Sequence, residues 1–254
     1  MYEIVIADDG STDSTPEVAA AYGRKSRQPH VRHVRNCHAG LNATRNAGIT
    51  GSRGEFILFI DDDELVPSEH LERVVGLLAA RDDVEGVGGP ARDHGGAQVR
   101  TCSRCSLGAA DRPSPPGGVV RRALLGGNMT IRRRAFERVG LFDEDLSGRG
   151  DESEWFRRAD MPFLYDPELF IWHRRDQMTL LELCRGQFRQ GRALSVAAVK
   201  AGSSRPPRLS KIIRLVGHGV ARHCGRGYIL AARELGAAYE WLRLRWKRPG
   251  STST

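Results

Sequence analysis

The chain has 254 residues, of which 40% are hydrophobic, so it is long enough to bury a core. No run reaches the roughly 18 uninterrupted apolar residues that a membrane-spanning helix needs, and no basic-then-apolar signal region opens the sequence. These features argue against a chain with spanning helices and predict a folded protein of the cytoplasm.

The net charge of +8 is distributed unevenly. Residues 177–254 contain 15 Lys and Arg against 3 Asp and Glu, a net charge of +12, whereas residues 1–176 carry −4. We predict a domain boundary there. A basic segment can face phosphate groups, nucleic acid or the inner face of an anionic plasma membrane. No nucleic-acid partner is expected, because the segment has no recognition helix or aromatic ladder.

Strands and helices alternate in the first part of the chain. Apolar runs with flanking turn residues predict strands at 3–7, 31–34 and 55–60, and helices at 15–23, 40–48 and from 67. This order predicts an α/β fold with a mostly parallel central sheet, in which ligands bind beyond the carboxyl ends of the strands.

The later part of the chain has less regular patterning. Residues 92–118 are rich in Gly, Ser, Pro and Arg and predict a long loop. A helix is expected over 134–139, and helical patterns with apolar residues among Arg and Lys cover 180–200 and 209–246. Such basic helices pack on the body of a protein or lie on a membrane surface.

Three consecutive carboxylates, Asp61, Asp62 and Asp63, follow the most apolar predicted strand. Alternate residues of an extended segment point the same way, so Asp61 and Asp63 can share one divalent ion, while Asp62 points away. Hard oxygen ligands suit Mn²⁺ or Mg²⁺. The alternative is a solvated acidic turn.

An earlier strand also ends in acidic residues, Asp8 and Asp9, followed by Gly10 and Ser11. A carboxylate at this position can accept the imide N–H of a uracil or the hydroxyls of a ribose. An Asx turn without a ligand is the alternative.

Two further candidates occur late in the chain. One carboxylate among Asp151, Glu152 and Glu154 is a candidate general base, or these acids favour the first turn of a helix through its dipole. His173 ends an apolar run, where its ring could complete a metal site or serve a structural role.

Taken in order, these segments resemble the family 2 glycosyltransferases with the GT-A fold. The likeness covers roughly residues 3 to 175, and its specificity lies in the order of the motifs. The matching segments are 3–13 (EIVIADDGSTD), 36–49 with Thr44-Arg45-Asn46, 54–63 (GEFILFIDDD), 127–133, 139–143 and 150–154.

The resemblance implies how the donor is held. The residues that would bind the nucleotide-sugar are Asp8, Asp9, Ser11, Arg45, Asp61 and Asp62. Asp61 and Asp63 would be the D-x-D pair on a Mn²⁺ or Mg²⁺ ion, and His173 would be a late metal or phosphate contact.

The resemblance also implies an inverting transfer by direct displacement. The family's base lies in a motif written Glu-Asp, which here reads Asp151-Glu152, so we expect Glu152 to be the base and Asp151 its reserve. The donor would be a UDP-sugar and the acceptor a saccharide, lipid-linked or natural-product hydroxyl.

Family members carry a further strand and helix ahead of the segment that begins at Glu3. The resemblance therefore implies either that the start site is set too late or that the protein is truncated. The alternative function is a catalytically inactive protein that binds a membrane or a partner through its basic segment.

Overall fold

The computed structural model describes residues 1–25, 29–93, 118–120, 124–146, 152–173, 179–200, 202, 209–221 and 225–246. The helices are α1 (Thr15–Lys25), α2 (Leu41–Gly51), α3 (His70–Ala80), α4 (Arg133–Val139), α5 (Glu152–Ala159), α6 (Leu180–Lys200), α7 (Leu209–Ala221) and α8 (Gly225–Trp246). The strands are β1 (Glu3–Asp8), β2 (His30–Arg35), β3 (Phe56–Phe59), β4 (Glu64–Leu65), β5 (Gly86–Gly88), β6 (Ala91–Asp93), β7 (Gly118–Val120), β8 (Met129–Arg132), β9 (Phe163–Tyr165) and β10 (Ile171–His173).

The predicted order of elements is confirmed. Each strand and helix expected in the first 80 residues lies within a few residues of its predicted bounds, and α6 covers the predicted range of 180–200. The helical pattern over 209–246 is divided into α7 and α8. Most of the predicted loop at 92–118 lies outside the described residues.

The α/β fold class is confirmed, but the strand directions are mixed. A five-stranded sheet has the order β3-β8-β5-β9-β7, and β1 pairs with β2 in a separate two-stranded sheet. A third sheet has the order β4-β10-β6. The β1–β2 and β5–β9 pairs are parallel, whereas β8 is antiparallel to both of its neighbours and β7 is antiparallel to β9. The sheet that was predicted to be mostly parallel is therefore mixed: β3, β5 and β9 share one direction, and β8 and β7 run in the opposite direction.

The chain divides into two compact units. Unit 1 comprises Met1–Ala91, Ser114–Ser147 and Asp151–Ile171, and unit 2 comprises Arg92–Pro113, Gly148–Gly150 and Trp172–Thr254. The predicted boundary between residues 176 and 177 stays a prediction.

An aromatic cluster forms the centre of unit 1. Trp155 is fully buried on α5, and its ring centroid lies 4.8 Å from that of Phe136 and 5.8 Å from that of Phe142. Phe156 and Phe163 continue the cluster towards β9. Burial of each such ring stabilises the fold by roughly 1.5–3 kcal/mol, so this cluster fixes α5 against α4 and the sheet.

Two arginines of the resemblance, Arg132 and Arg133, hold helix ends in place. The buried Arg132 guanidinium donates to the carbonyl oxygens of Leu78 and Arg81, at the end of α3. Arg133 donates to those of Ile49 and Gly54. Arg132 therefore satisfies carbonyl groups that α3 leaves without internal partners at its end, and Arg133 joins the end of α2 to the loop that follows it.

Unit 2 is built mainly from helices. α6 and α8 cross closely at Gly191 and Gly236, where an added Cβ would overlap the backbone of the other helix. The buried Glu240 accepts hydrogen bonds from Arg192 and Arg243, so a carboxylate inside this helical pair is matched by two guanidinium groups. Among the described residues, no helix is long and apolar enough to cross a membrane.

Candidate functional site

The carboxylate of Asp8 organises the turn that ends β1. One oxygen accepts the Ser11 backbone N–H at 2.7 Å, and the other lies 3.1 Å from His33 Nε2 and 3.8 Å from Arg35 Nε. Hydrogen bonding from Ser11, with smaller contributions from His33 and Arg35, lowers the pKa of Asp8 to about 2. Asp8 is only 4% exposed, so it shapes the turn as well as being a candidate nucleotide contact.

Asp9 fixes the start of α2. Its carboxylate accepts the backbone N–H of Ala39 at 2.7 Å and that of Gly40 at 2.9 Å. These groups lie at the N-terminus of the helix, where free N–H groups and the helix dipole favour negative charge. Asp9 therefore holds the two residues that lead into α2, although it lies in a distant part of the sequence.

An open pocket of about 430 Å³ lies beside this turn. It is lined by Gly10, Arg35, Asn36, Cys37 and His38. Gly10 has a φ of 81°, and a Cβ on it would lie 3.1 Å from the Asn36 carbonyl oxygen, so a side chain at this position would strain the turn. Sequence reasoning gave the pocket residues other than Gly10 no ligand role, because a short basic strand end has no ligand-binding pattern of its own.

Arg45, which was predicted to bind the nucleotide-sugar, forms an ion pair with Glu152, the predicted base. Arg45 lies on α2, Glu152 is the first residue of α5, and Arg45 Nη1 lies 3.7 Å from Glu152 Oε2. Both side chains are largely buried, at 9% and 15% exposure. Two residues 107 positions apart in the sequence, chosen for different roles, are thus adjacent. Asp151, the reserve base, lies outside the described residues.

Asn46 connects α2 to the loop after α4. Its amide donates to the Phe142 carbonyl oxygen and to Glu144, and its own carbonyl oxygen accepts the Phe142 N–H. Asn42 donates to the Asp143 carbonyl oxygen one turn earlier. Sequence reasoning gave these two asparagines no role. The available signal was their spacing of four residues on a predicted helix, because amides that are buried on one helix face need hydrogen-bond partners.

The Trp155 side chain positions the start of α5. Its Nε1 donates to the Gly140 carbonyl oxygen at 2.8 Å, and its ring packs against Phe142. The Arg45 guanidinium carbon lies 5.9 Å from the centroid of the same Phe142 ring. The Phe142 ring therefore contacts Arg45 directly, and it contacts α5, which begins at Glu152, through Trp155.

The predicted D-x-D residues occupy a turn between β3 and β4. Glu64 Oε2 accepts the Asp61 backbone N–H at 2.8 Å, and the Glu64 N–H donates to the Asp61 carbonyl oxygen at 3.2 Å. Asp61 and Asp62 are exposed, and Asp63 is half-buried. Glu64 thus closes the turn that presents the three aspartates, a role that was not predicted.

The Arg45–Glu152 pair and the Asp61–Glu64 turn lie on either side of two consecutive glycines, Gly126 and Gly127. A Cβ on Gly126 would lie 2.7 Å from Arg45 Nη2 and 3.5 Å from the Glu152 carboxyl carbon, and one on Gly127 would lie 2.6 Å from the Glu64 carboxyl carbon. Consecutive Cα atoms are 3.80 Å apart, so the Arg45–Glu152 pair and the Asp61–Glu64 turn flank one short stretch of backbone. The structure therefore assembles the candidate base and the aspartate turn at one place in unit 1.

The carboxylates fit a metal that is shared with a ligand. Within the described ranges, no group of three or more His, Cys, Asp or Glu side chains is arranged to hold an ion by itself. Mg²⁺ is commonly held by one or two carboxylates together with substrate phosphates, so Asp61 and Asp63 suit that chemistry. His173 is buried at the end of β10 and belongs to unit 2, so its metal role stays a prediction.

The comparison with protein families identifies the chain. The model described as "Glycosyl transferase family 2" matches residues 1–140, more than half of the sequence. The chain belongs to this family. The matched region contains the aspartate turn, Arg45 and both glycines.

Curated relatives are also named as glycosyltransferases. The chain is 41% identical to the putative glycosyltransferase EpsH of Bacillus subtilis over 83 residues, which is 33% of this chain and 23% of the relative. It is 27% identical to the uncharacterized glycosyltransferase EpsJ of the same organism over 207 residues, covering 71% of this chain and 55% of the relative. The chain thus spans from about a quarter to about half of these relatives.

Solved structures confirm the GT-A fold. The mannosyltransferase PcManGT from Pyrobaculum calidifontis, in complex with GDP-Man and Mn²⁺, matches with a TM-score of 0.58 and 18% identity, over 98% of this chain and 67% of that chain. S. aureus TarS 1–349 in complex with UDP matches with a TM-score of 0.53 and 15% identity, over 86% of this chain and 62% of that chain. At this identity the likeness shows the fold of this family 2 member.

Proposed function

We propose that this family 2 protein is a glycosyltransferase that moves a sugar from a nucleoside diphosphate sugar onto an acceptor hydroxyl. The observation that carries the proposal is the placing of Glu152, Arg45 and the Asp61–Glu64 turn around Gly126 and Gly127. The alternative of a catalytically inactive protein is not favoured, because Arg45 pairs with Glu152 and the Asp61–Glu64 turn lies against the neighbouring glycine, although these groups come from distant parts of the chain.

Glu152 is the proposed general base. Its carboxylate takes the proton of the acceptor hydroxyl while the acceptor oxygen bonds to the anomeric carbon, and the bond from that carbon to the diphosphate oxygen breaks on the opposite face. The anomeric centre is inverted. Arg45, 3.7 Å from Glu152, orients the carboxylate and offers its guanidinium to the donor.

Asp61 and Asp63 are the proposed ligands of Mn²⁺ or Mg²⁺, with Asp62 beside the donor. The ion, when bound, supplies positive charge against the departing diphosphate. PcManGT was solved with GDP-Man and Mn²⁺, and TarS was solved with UDP. These ligands support a nucleoside diphosphate sugar as the donor, but they do not distinguish uracil from guanine as its nucleobase. We propose UDP-sugar as the donor, with GDP-sugar as the competing case.

The remaining assignments are proposals of the same kind. Asp8, Asp9 and Ser11, next to the open pocket, are proposed to face the nucleotide, and His173 to contact the metal or a phosphate. The acceptor is proposed to be a saccharide, lipid-linked or natural-product hydroxyl, and the enzyme to act in the cytoplasm, peripherally at the inner face of the plasma membrane.

The test is a calorimetric titration of UDP, and separately of GDP, into the full chain with and without Mn²⁺. Metal-dependent binding that is lost in Asp63→Ala is the expected result. Asp83→Ala is the matched control, because Asp83 is an exposed carboxylate paired with Arg81 at the end of α3. A folded protein that binds neither nucleotide, or a loss of equal size in both variants, would refute the proposed donor site.

A further inference from the structure

Helix α7 carries an exposed aliphatic stripe. The residues of this stripe are Leu209, Ile213, Val216 and Val220, with exposures of 68%, 65%, 37% and 58%. Their spacing of four, three and four residues places them on one face of the helix. We call these four residues the α7 stripe.

Contacts within unit 2 fix which face of α7 is exposed. Ile212 is buried, and Gly219 lies against the ring of Tyr228 on α8, where an added Cβ would be 3.1 Å away. Lys211 Nζ pairs with Glu234 of α8 at 2.8 Å. The helix therefore already has an apolar contact with α8, and the α7 stripe is a second apolar surface on its outer side.

The sequence around the α7 stripe is strongly basic. Residues 183–233 contain 11 Lys and Arg and no Asp or Glu. On α7 itself, Arg214 is exposed next to Ile213. An aliphatic face with an exposed cation beside it, in a segment of net positive charge, complements a bilayer with anionic headgroups, since each Lys or Arg near such a surface adds to the attraction.

Length excludes insertion across the bilayer. α7 has 13 residues, which at 1.5 Å per residue span about 20 Å, less than the roughly 30 Å hydrocarbon core. A second copy of the chain is a poor occupant, because it brings a surface of the same positive charge. An aliphatic stripe also offers a nucleic acid no stacking surface.

We propose that the α7 stripe binds the surface of an anionic bilayer, with α7 parallel to the membrane plane and its aliphatic side chains at the boundary between headgroups and acyl chains. The surface belongs to unit 2 alone. The proposal therefore specifies the predicted membrane contact without depending on the proposed transfer chemistry.

Vesicle co-sedimentation of the full chain tests this directly. We expect binding to vesicles of equal parts phosphatidylglycerol and phosphatidylcholine, and little binding to pure phosphatidylcholine. Ile213→Asp should weaken binding at least about tenfold, because it replaces an inserted aliphatic group with a charge. Arg214→Gln should weaken it about fivefold. Val75→Asp is the matched control, since Val75 is 51% exposed on α3 of unit 1.

A second readout places the stripe itself at the lipid. Ile213→Trp should show a blue shift of its added fluorescence with anionic vesicles only. Equal binding to both vesicle types, or binding unchanged by Ile213→Asp, would overturn the proposal. So would a concentration-dependent dimer that Ile213→Asp abolishes without lipid. UDP titrations of the same variants separate failure of this surface from failure of the donor site, because Ile213 lies in unit 2.

Discussion

Gly127→Ala tests whether Glu64 holds the aspartate turn in place. The added Cβ would lie 2.6 Å from the Glu64 carboxyl carbon, whereas ordinary carbon contacts begin near about 3.5 Å, so the carboxylate must move by about 1 Å. If the carboxylate moves away from Asp61, the distance from Asp61 N to Glu64 Oε2 grows from 2.8 Å to at most about 3.8 Å, which breaks the hydrogen bond.

The expected cost of Gly127→Ala is modest for stability and larger for binding. A hydrogen bond to a charged group contributes about 1.5–3 kcal/mol, and exposure of the Asp61–Glu64 turn reduces this to about 1 kcal/mol. Groups that orient metal ligands typically change metal affinity about 10–100-fold, so we expect Mn²⁺-dependent UDP affinity to fall about tenfold. Urea unfolding and calorimetry measure the two effects.

A double-mutant cycle with Glu64→Ala decides the mechanism. Once the carboxylate is removed, the Gly127 Cβ has room, so the double variant should be no worse than Glu64→Ala alone. Glu64→Gln should retain most of the binding, because its amide oxygen can still accept the Asp61 N–H. If Gly127→Ala has the same cost in the wild type and in Glu64→Ala, the proposed role of Glu64 is wrong.

Three further substitutions have distinct expected results. Glu152→Gln should lower kcat by about 10²–10⁴-fold in a transfer assay while leaving the calorimetric Kd for UDP nearly unchanged; an equal loss of both would contradict its role as base. Asn46→Ala should destabilise the protein by about 1–3 kcal/mol in urea unfolding, because it leaves buried groups near Phe142 without partners; an unchanged midpoint would contradict this. The folded pKa of Asp8 is depressed, so its stabilising effect is complete above about pH 4 and is lost as the pH falls through about 2; urea unfolding of Asp8→Asn and wild type should show a difference that shrinks below about pH 4, and a pH-independent difference would contradict this.

The sequence was sufficient for the family, for the first three strands and for most of the helices, but no strand after β3 was predicted. Apolar periodicity located β1, β3 and α6 because each is a local property of a few residues. Strand direction is not local: β8 lies between β3 and β5 and runs antiparallel to both, and no pattern within residues 129–132 encodes its neighbours.

The candidate site was only partly predictable for the same reason. Arg45 and Glu152 were found as members of motifs, but their contact depends on the packing of α2 against the loop at 142–144 and on the burial of Trp155. The role of Glu64 was missed because, in the sequence, Glu64 is only the last of four consecutive acidic residues. Its hydrogen bond to Asp61 and the close approach of Gly127 are visible only in three dimensions.

The motif residues differ in whether a substitution can distinguish a structural role from a ligand-binding role. Asp9 holds the residues that lead into α2, so its substitution should disturb the start of the helix that carries Arg45 even if it never touches a nucleotide. Asp61 lies exposed in its turn and offers its backbone N–H, not its carboxylate, to Glu64. Loss of activity in an Asp9 variant would therefore say little about ligand contacts. Loss of metal-dependent binding in an Asp61 or Asp63 variant with unchanged unfolding would locate the ion, and these positions carry the strongest test of the donor site.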